Sequence, residues 1–184
     1  QKIEVMKKLK LDLHTHCFEA TGQRWLDLEV VERIVKQVKA KGLDGIAVTE
    51  HDYKSYGMQF KEMADQHFGG EVIIIPGHEI SLWPADIAEL FLPNDLVFRF
   101  IVHPGYPPTD YSRRVDSVQG IEIDNALHNY QMDKKRIRRL AEEHDLLMLS
   151  NSDAHSVEDI GAFYTEVSME ELIARAKPVT KDKP

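Results

Sequence analysis

LKLDLHTH, Leu9–His16, alternates apolar and polar residues and then closes on a pair of histidines. A period of two marks a strand, and residues two apart point to the same side of it, so His14 and His16 share a face. The same design returns along the chain. GIAVTEHD (Gly45–Asp52) ends with His51 between two carboxylates, EVIIIPGHE (Glu71–Glu79) ends at Glu79, LVFRFIVHPG (Leu96–Gly105) carries His103, and LLMLSNSDAH (Leu146–His155) ends with Asp153 and His155. A strand end is rigid and the loop after it is exposed, which suits a metal ligand. Five such ends in one short chain predict a single metal cluster at one rim of a sheet or barrel.

Helical periodicity fills the gaps between strands. Val31, Ile34, Val35 and Val38 give one apolar face to a helix over about Leu26–Lys41, stopped by Gly42. A second helix is predicted near Ser55–Phe68, with Tyr56, Phe60, Met63, Ala64 and a half-buried His67 on its apolar stripe. Ile137, Leu140 and Ala141 mark a third over Met132–His144, whose basic run from Lys134 to Arg139 faces water. Glu170–Ala176 reads as a short helix and Pro178–Pro184 as a frayed end. DIAELFLP (Asp86–Pro93) and LVFRFIVHPG follow one another with no helix between them, and GIEIDNA (Gly120–Ala126) is a further strand. Alternating strands and helices imply an α/β fold with a parallel sheet. Six or seven strands fall short of an eight-unit barrel of about 250 residues, so a compact, irregular barrel or strongly curled sheet is expected. The site of such a fold lies at the C-terminal ends of its strands.

The composition narrows the function. At 184 residues the chain is predicted to form one domain over 1–184. No apolar run is long enough to span a bilayer, and QKIEVMKKLK lacks the apolar core of a secretory signal. The one cysteine, Cys17, cannot form an internal disulfide; it reads as a small buried residue and agrees with a cytoplasmic location. A net charge of −8 argues against general nucleic-acid binding. A phosphate substrate would then depend on bound dications to reverse the local field. Imidazole with carboxylate suits zinc, iron or manganese better than calcium or magnesium. His14, His16, His51, Glu79, His103, Asp153 and His155 exceed the needs of one tetrahedral ion and suffice for two or three, with Glu79 or Asp153 as the bridge.

With these residues in view, the chain resembles the PHP (polymerase and histidinol phosphatase) superfamily. DLHTH, GLDGIAVTEHD, PGHEIS, IVHPG, GIEIDNA and SNSDAH carry the resemblance, in the family's order and over almost the whole chain. It implies a distorted (β/α)7 barrel of PHP type with three metal ions. His14, His16, Glu79 and Asp153 would hold the first ion. Glu79 would bridge to a second, held also by His103, and His51 and His155 would bind the third. Two positions depart from the family pattern. Thr21 precedes Gly22 where an acidic residue or histidine is common, with Glu19 nearby to replace it, and Asp86 stands where a histidine is usual.

The activity implied is hydrolysis of a phosphoester in a small phosphorylated molecule, as phosphatase or phosphodiesterase, by a metal-activated hydroxide. His51 and His155 are candidate proton donors to the leaving oxygen if they are not tied up as ligands. Arg113 and Arg114 are candidates to grip phosphate, and Asn125 to orient a ligand. Thr49, Glu50 and Asp52 are read as groups that orient His51. His78 and His128 are expected in local hydrogen bonds, and Trp25 and Trp83 in rim packing. Two alternatives stand beside this activity, a nuclease acting on nucleic-acid ends and a non-catalytic metal-binding scaffold.

Overall fold

The computed structural model describes residues 7–179; the readings made on residues 1–6 and 180–184 lie outside the described residues. Among the described residues nine strands form one sheet: β1 Leu9–Asp12, β2 Gly45–Val48, β3 Ile73–Ile80, β4 Ile87–Leu92, β5 Leu96–Ile101, β6 Gly120–Asn125, β7 Leu147–Asn151, β8 Thr165–Val167 and β9 Lys177–Pro178. Pro178, expected in a frayed end, instead pairs with Leu96 in β9. The helices are α1 Cys17–Thr21, α2 Leu28–Ala40, α3 Lys54–Phe68, α4 Lys134–Glu143 and α5 Met169–Arg175.

The sheet order is β7-β6-β5-β4-β3-β2-β1-β8. β1, β2 and β3 run parallel, β4 reverses between β3 and β5, and β5, β6 and β7 are parallel again. The sheet curls until its two ends meet. Thr15, just past β1, bridges Ala154, just past β7, and the Asp153 and His16 amides donate to the His14 and Ala154 carbonyls at 2.9 Å. Below that seam β8 pairs antiparallel with β1, and the Thr165 hydroxyl bonds the Ser150 backbone. Asp12 reinforces the seam from within, accepting from the Ser152 amide and hydroxyl and the Gly161 amide. The result is the expected α/β barrel, with β4 and β8 as its reversed strands.

Alternation sorts the apolar residues into layers. Leu11, Leu13, Ala47, Ile75, Leu90, Phe98, Phe100 and Leu149 fill the barrel, closed by Leu172 of α5. α2 and α3 bury Val31, Ile34, Val35, Val38, Tyr56 and Phe60 against Ile46, Val48 and Ile74 on the outside. α4 does the same with Ile137 and Leu140 against Ile121. Each such side chain contributes about 1.5–3 kcal/mol by leaving water. His67 departs from its expected place and is exposed on α3. β3, β4 and β5 are joined without helices, and their outer face instead carries a polar chain, His78 to Glu89 at 2.9 Å and Glu89 to Arg99 at 2.6 Å. His78 thus sits in the local hydrogen bond expected of it.

Candidate metal centre

The parallel strands deliver their last residues to one rim, and all seven predicted donors gather there in overlapping groups. In the first group, His14 Nε2 lies 3.1 Å from His16 Nε2, 3.1 Å from Glu79 Oε2 and 3.4 Å from Asp153 Oδ1. His16 Nε2 completes it at 3.2 Å from Glu79 and 3.1 Å from Asp153. Ligands on one tetrahedral ion with bonds of about 2.0–2.2 Å stand roughly 3.3–3.6 Å apart, so the four atoms, at 3.1–3.4 Å, stand slightly inside the edges of such a polyhedron. The other Glu79 oxygen, Oε1, faces His103 Nε2 at 3.0 Å, with Asp86 completing that group. The third group joins His51 and His155 to Glu19, at 3.5 and 3.2 Å, with His16 beside them. Glu19 therefore occupies the place left open by Thr21.

The protons fit a cation as well as the distances do. A carboxylate or carbonyl oxygen only accepts, so His14 Nδ1 donates to Glu122 (2.9 Å), His103 Nδ1 to the Tyr106 carbonyl (2.8 Å) and His155 Nδ1 to the Asp153 carbonyl (2.8 Å). Each ring then turns its Nε2 lone pair toward carboxylate oxygens. Lone pairs facing lone pairs repel unless a proton or a metal lies between them. Asp153 Oδ1 and His16 Nδ1 are buried without hydrogen-bond partners. In the metal-free cluster protons fill the gap. Burial would push His14 and His16 down, but Asp153, Glu122 and Glu79 hold His14 well above the ordinary histidine value, and Asp153 and Glu79 lift His16 to about 9. Against burial, which would raise them, the histidines hold Glu79 and Asp153 below the ordinary carboxylate range. His51, half exposed, is pushed down by burial. A donor set of this kind fits divalent transition metals.

The centre rests on a shell that keeps it rigid. Glu122, absent from the predicted site, is fully buried. Its Oε1 accepts from His14 and Asn151, and its Oε2 from the His103 amide at 2.7 Å and from Asn125. His103 (φ 29°) and Asp153 (φ 55°) hold left-handed backbone that side-chain-bearing residues avoid, at about 1–3 kcal/mol each. The Glu122 bond to the His103 amide and the His14 carbonyl bond to the Asp153 amide keep them there. Thr49 ties β2 to the Thr15 backbone, and Glu50, pushed up to about 7 by burial, accepts from the Phe18 amide. Neither touches His51 by a hydrogen bond among the described residues.

The predicted substrate groups fare differently. Asn125 is buried and committed: its amide nitrogen donates to Glu122 and Asp153, and its oxygen accepts from the Leu127 and His128 amides. It orients Asp153, a ligand candidate, and its side chain has no polar atom left for the substrate contact that was also expected. Arg114 donates to the Trp83 carbonyl in the loop after β3, and Arg113 is exposed on the same 3-10 turn, Tyr111–Ser117. Trp25 and Trp83, expected in rim packing, are 81% and 73% exposed. His128, expected in a local hydrogen bond, does bond Gln131, yet its other nitrogen lies 3.7 Å from Asp153 Oδ2. Cys17 is buried, as expected. No helix among the described residues is long and apolar enough to cross a membrane.

Comparison with known proteins adds an independent line. The model of the PHP-associated family matches residues 131–177. The uncharacterized protein MJ1587 of Methanocaldococcus jannaschii is 30% identical over 128 residues, 66% of this chain and 68% of that one. Among solved structures, PsfC from Pseudomonas syringae PB-5123 superposes with a TM-score of 0.69 at 18% identity, over 94% of this chain and 90% of its own. A protein from Bifidobacterium adolescentis, provisionally named a metal-dependent phosphoesterase, gives 0.64 at 13% identity over 92% and 97%. An amidohydrolase from Chromobacterium violaceum, solved with bound sulfate and no metal, gives 0.60 at 14% identity over 91% and 97%. The PHP-associated segment and the barrel shared with these structures support membership of the PHP superfamily.

Proposed function

We propose that this protein hydrolyses a phosphoester of a small molecule, with two or three divalent transition ions held by His14, His16, His51, Glu79, His103, Asp153 and His155. The observation that carries the reading is the division of Glu79. One oxygen serves the group of His14, His16 and Asp153, the other the group of His103, so one buried carboxylate joins two neighbouring cation seats. Divalent ions held there would supply Lewis acidity, lowering the pKa of water and neutralising phosphate oxygens. The chain's own residues do the rest. Glu122 fixes the tautomer of His14, Asn125 and the His14 carbonyl fix Asp153, and the strained loops keep the donors at one rim. His51, half exposed beside Glu19, and His155 border the outer, solvent-facing side of the centre.

A small substrate agrees with the surroundings. A cavity of about 330 Å³ opens beside His51, lined by Phe18, Glu19, Arg24, Glu50 and Tyr53. Arg24 offers it a fixed cation, with Arg114 on another part of the rim as a second anion-binding group. A more open cleft of about 950 Å³ lies between α3 and the β4–β5 turn and holds none of the donors. The net charge of −8 weighs against the nuclease alternative.

The test is turnover of a panel of phosphomonoesters, phosphodiesters and oligonucleotides by protein reloaded separately with zinc, manganese or iron. Release of phosphate or of an alcohol from small esters, lost in Glu79→Gln, is the expected result. Metal binding with no turnover of any ester would leave the scaffold alternative, and preference for oligonucleotides would leave the nuclease.

A further inference from the structure

His128 lies on the loop after β6, where it was expected only in a local hydrogen bond. We propose that His128 is a metal ligand, holding the second ion together with His103 and the outer oxygen of Asp153. The inference rests on the metal-centre reading above and assigns a donor outside its seven residues.

Four observations converge on His128. Its ligand atom, that of His103 and that of Asp153 all lie within 4.8 Å of one another. The gap of 3.7 Å from Nε2 to Asp153 Oδ2 is too long for a hydrogen bond, yet close to the separation of two ligands on one ion. Nδ1 bonds Gln131 Oε1 at 2.9 Å, which places the proton there and leaves Nε2 as a lone pair. The ring is also held: it stacks on Tyr106 at 4.3 Å and 16°, and the His128 amide donates to Asn125 Oδ1 at 2.9 Å. Asn125 thus clamps His128 with one end of its amide and Asp153 with the other.

This arrangement gives Asp153 the same division as Glu79. Oδ1 faces His14 and His16, and Oδ2 faces His128. Two carboxylates then join the first and second seats. The reason for recruiting an extra imidazole lies at Asp86, which is half-buried, has one oxygen committed to the Leu82 amide, and stands where the family resemblance leads one to expect histidine. An imidazole on the opposite side restores the nitrogen donor.

The experiment counts ions rather than activity. Wild type, His128→Ala, Asp86→Ala and His16→Ala are titrated with cobalt(II), following the visible ligand-field bands and the stoichiometry by calorimetry, with circular dichroism to confirm folding. His128→Ala is expected to lose one equivalent, or to bind it at least tenfold more weakly, and to change the spectrum of that step alone; His128→Gln should not restore it. A folded His128→Ala with the wild-type count, affinities and spectrum would overturn the inference. Wild type that binds no cobalt would overturn the metal-centre reading itself, so the two failures are distinct. Should His128→Ala misfold, Gln131→Glu supplies the second variant: a carboxylate on Nδ1 makes the imidazole a stronger donor, so the second step should tighten, and an unmoved second step would refute the role.

Discussion

Glu122→Gln isolates the contribution of one buried carboxylate to the centre, because it alters a single atom of a group with four donors around it. Glu122 Oε2 faces the His103 amide at 2.7 Å and Asn125 at 2.9 Å; a backbone N–H cannot stop donating, so the new amide nitrogen avoids that end. It settles at the Oε1 end, against His14 Nδ1 and Asn151, each at 2.9 Å. His14 can accept there only by moving its proton to Nε2, the atom that faces His16, Glu79 and Asp153. A ring protonated at Nε2 is no ligand, and restoring the other tautomer sets N–H against N–H. Loss of such a supporting partner costs about 10- to 100-fold in metal affinity, equivalent to roughly 1.4–2.7 kcal/mol. Asn151 Nδ2 loses its acceptor as well, at about 1–3 kcal/mol of fold stability, or roughly 2–12 °C of melting temperature for a chain of this size. Zinc affinity is read by competition with a chromophoric chelator, alongside thermal melting of the same preparations. A folded variant whose zinc affinity lies within threefold of wild type would refute the tautomer argument.

Three further outcomes follow from the same geometry. In excess chelator the melting temperature should fall as pH rises from about 6.5 to 9: His16 is lifted from 6.5 to about 9, so its stabilising charge is fully present below the lower value and lost through the upper, a ceiling of about 3 kcal/mol. Glu50, lifted to about 7, has the same sign, and a flat or rising curve would contradict both shifts. Because that imidazole must lose its proton to bind metal, zinc binding at pH 7.5 should release protons, seen as a calorimetric enthalpy that changes with the buffer's ionisation enthalpy; identical enthalpies across buffers would count against the shift. Gly45→Ala would place its methyl 2.2 Å from the Ile73 carbonyl on the neighbouring strand, so β2 and β3 must part, at about 1–3 kcal/mol or more in thermal melting. An unchanged melting temperature would mean the strands are not so closely paired.

What the sequence revealed and what it hid divides along the range of the signal. His14, His16, His51, Glu79, His103, Asp153 and His155 each follow an apolar run, so local periodicity placed them at strand ends, and parallel strands bring their ends to one rim. β8, with three residues, and β9, with two, are too short for any period to register, and α1 is barely one turn. The reversal at β4 left a faint mark in Asn94-Asp95, both left-handed in the turn that leads into β5. Glu19 sits on the single turn of α1 and His128 on the irregular loop after β6, both too short for a period to register, so their approach to His155 and Asp153 respectively depends on the closed barrel.

Glu122 is the instructive case. In GIEIDNA, Ile121 and Ile123 pack outward against α4 and its neighbours, so strand alternation alone turns Glu122 into the barrel. A carboxylate there is tolerable only if donors surround it. The alternation that located the core therefore also contained the support of the centre. It went unread because a glutamate between two isoleucines looks like the solvent side of a half-buried strand, until the helix outside is known and the faces exchange. Function at this rim accordingly depends on two kinds of information: strand ends that the chain spells out locally, and an inward carboxylate whose meaning is fixed only when the sheet closes.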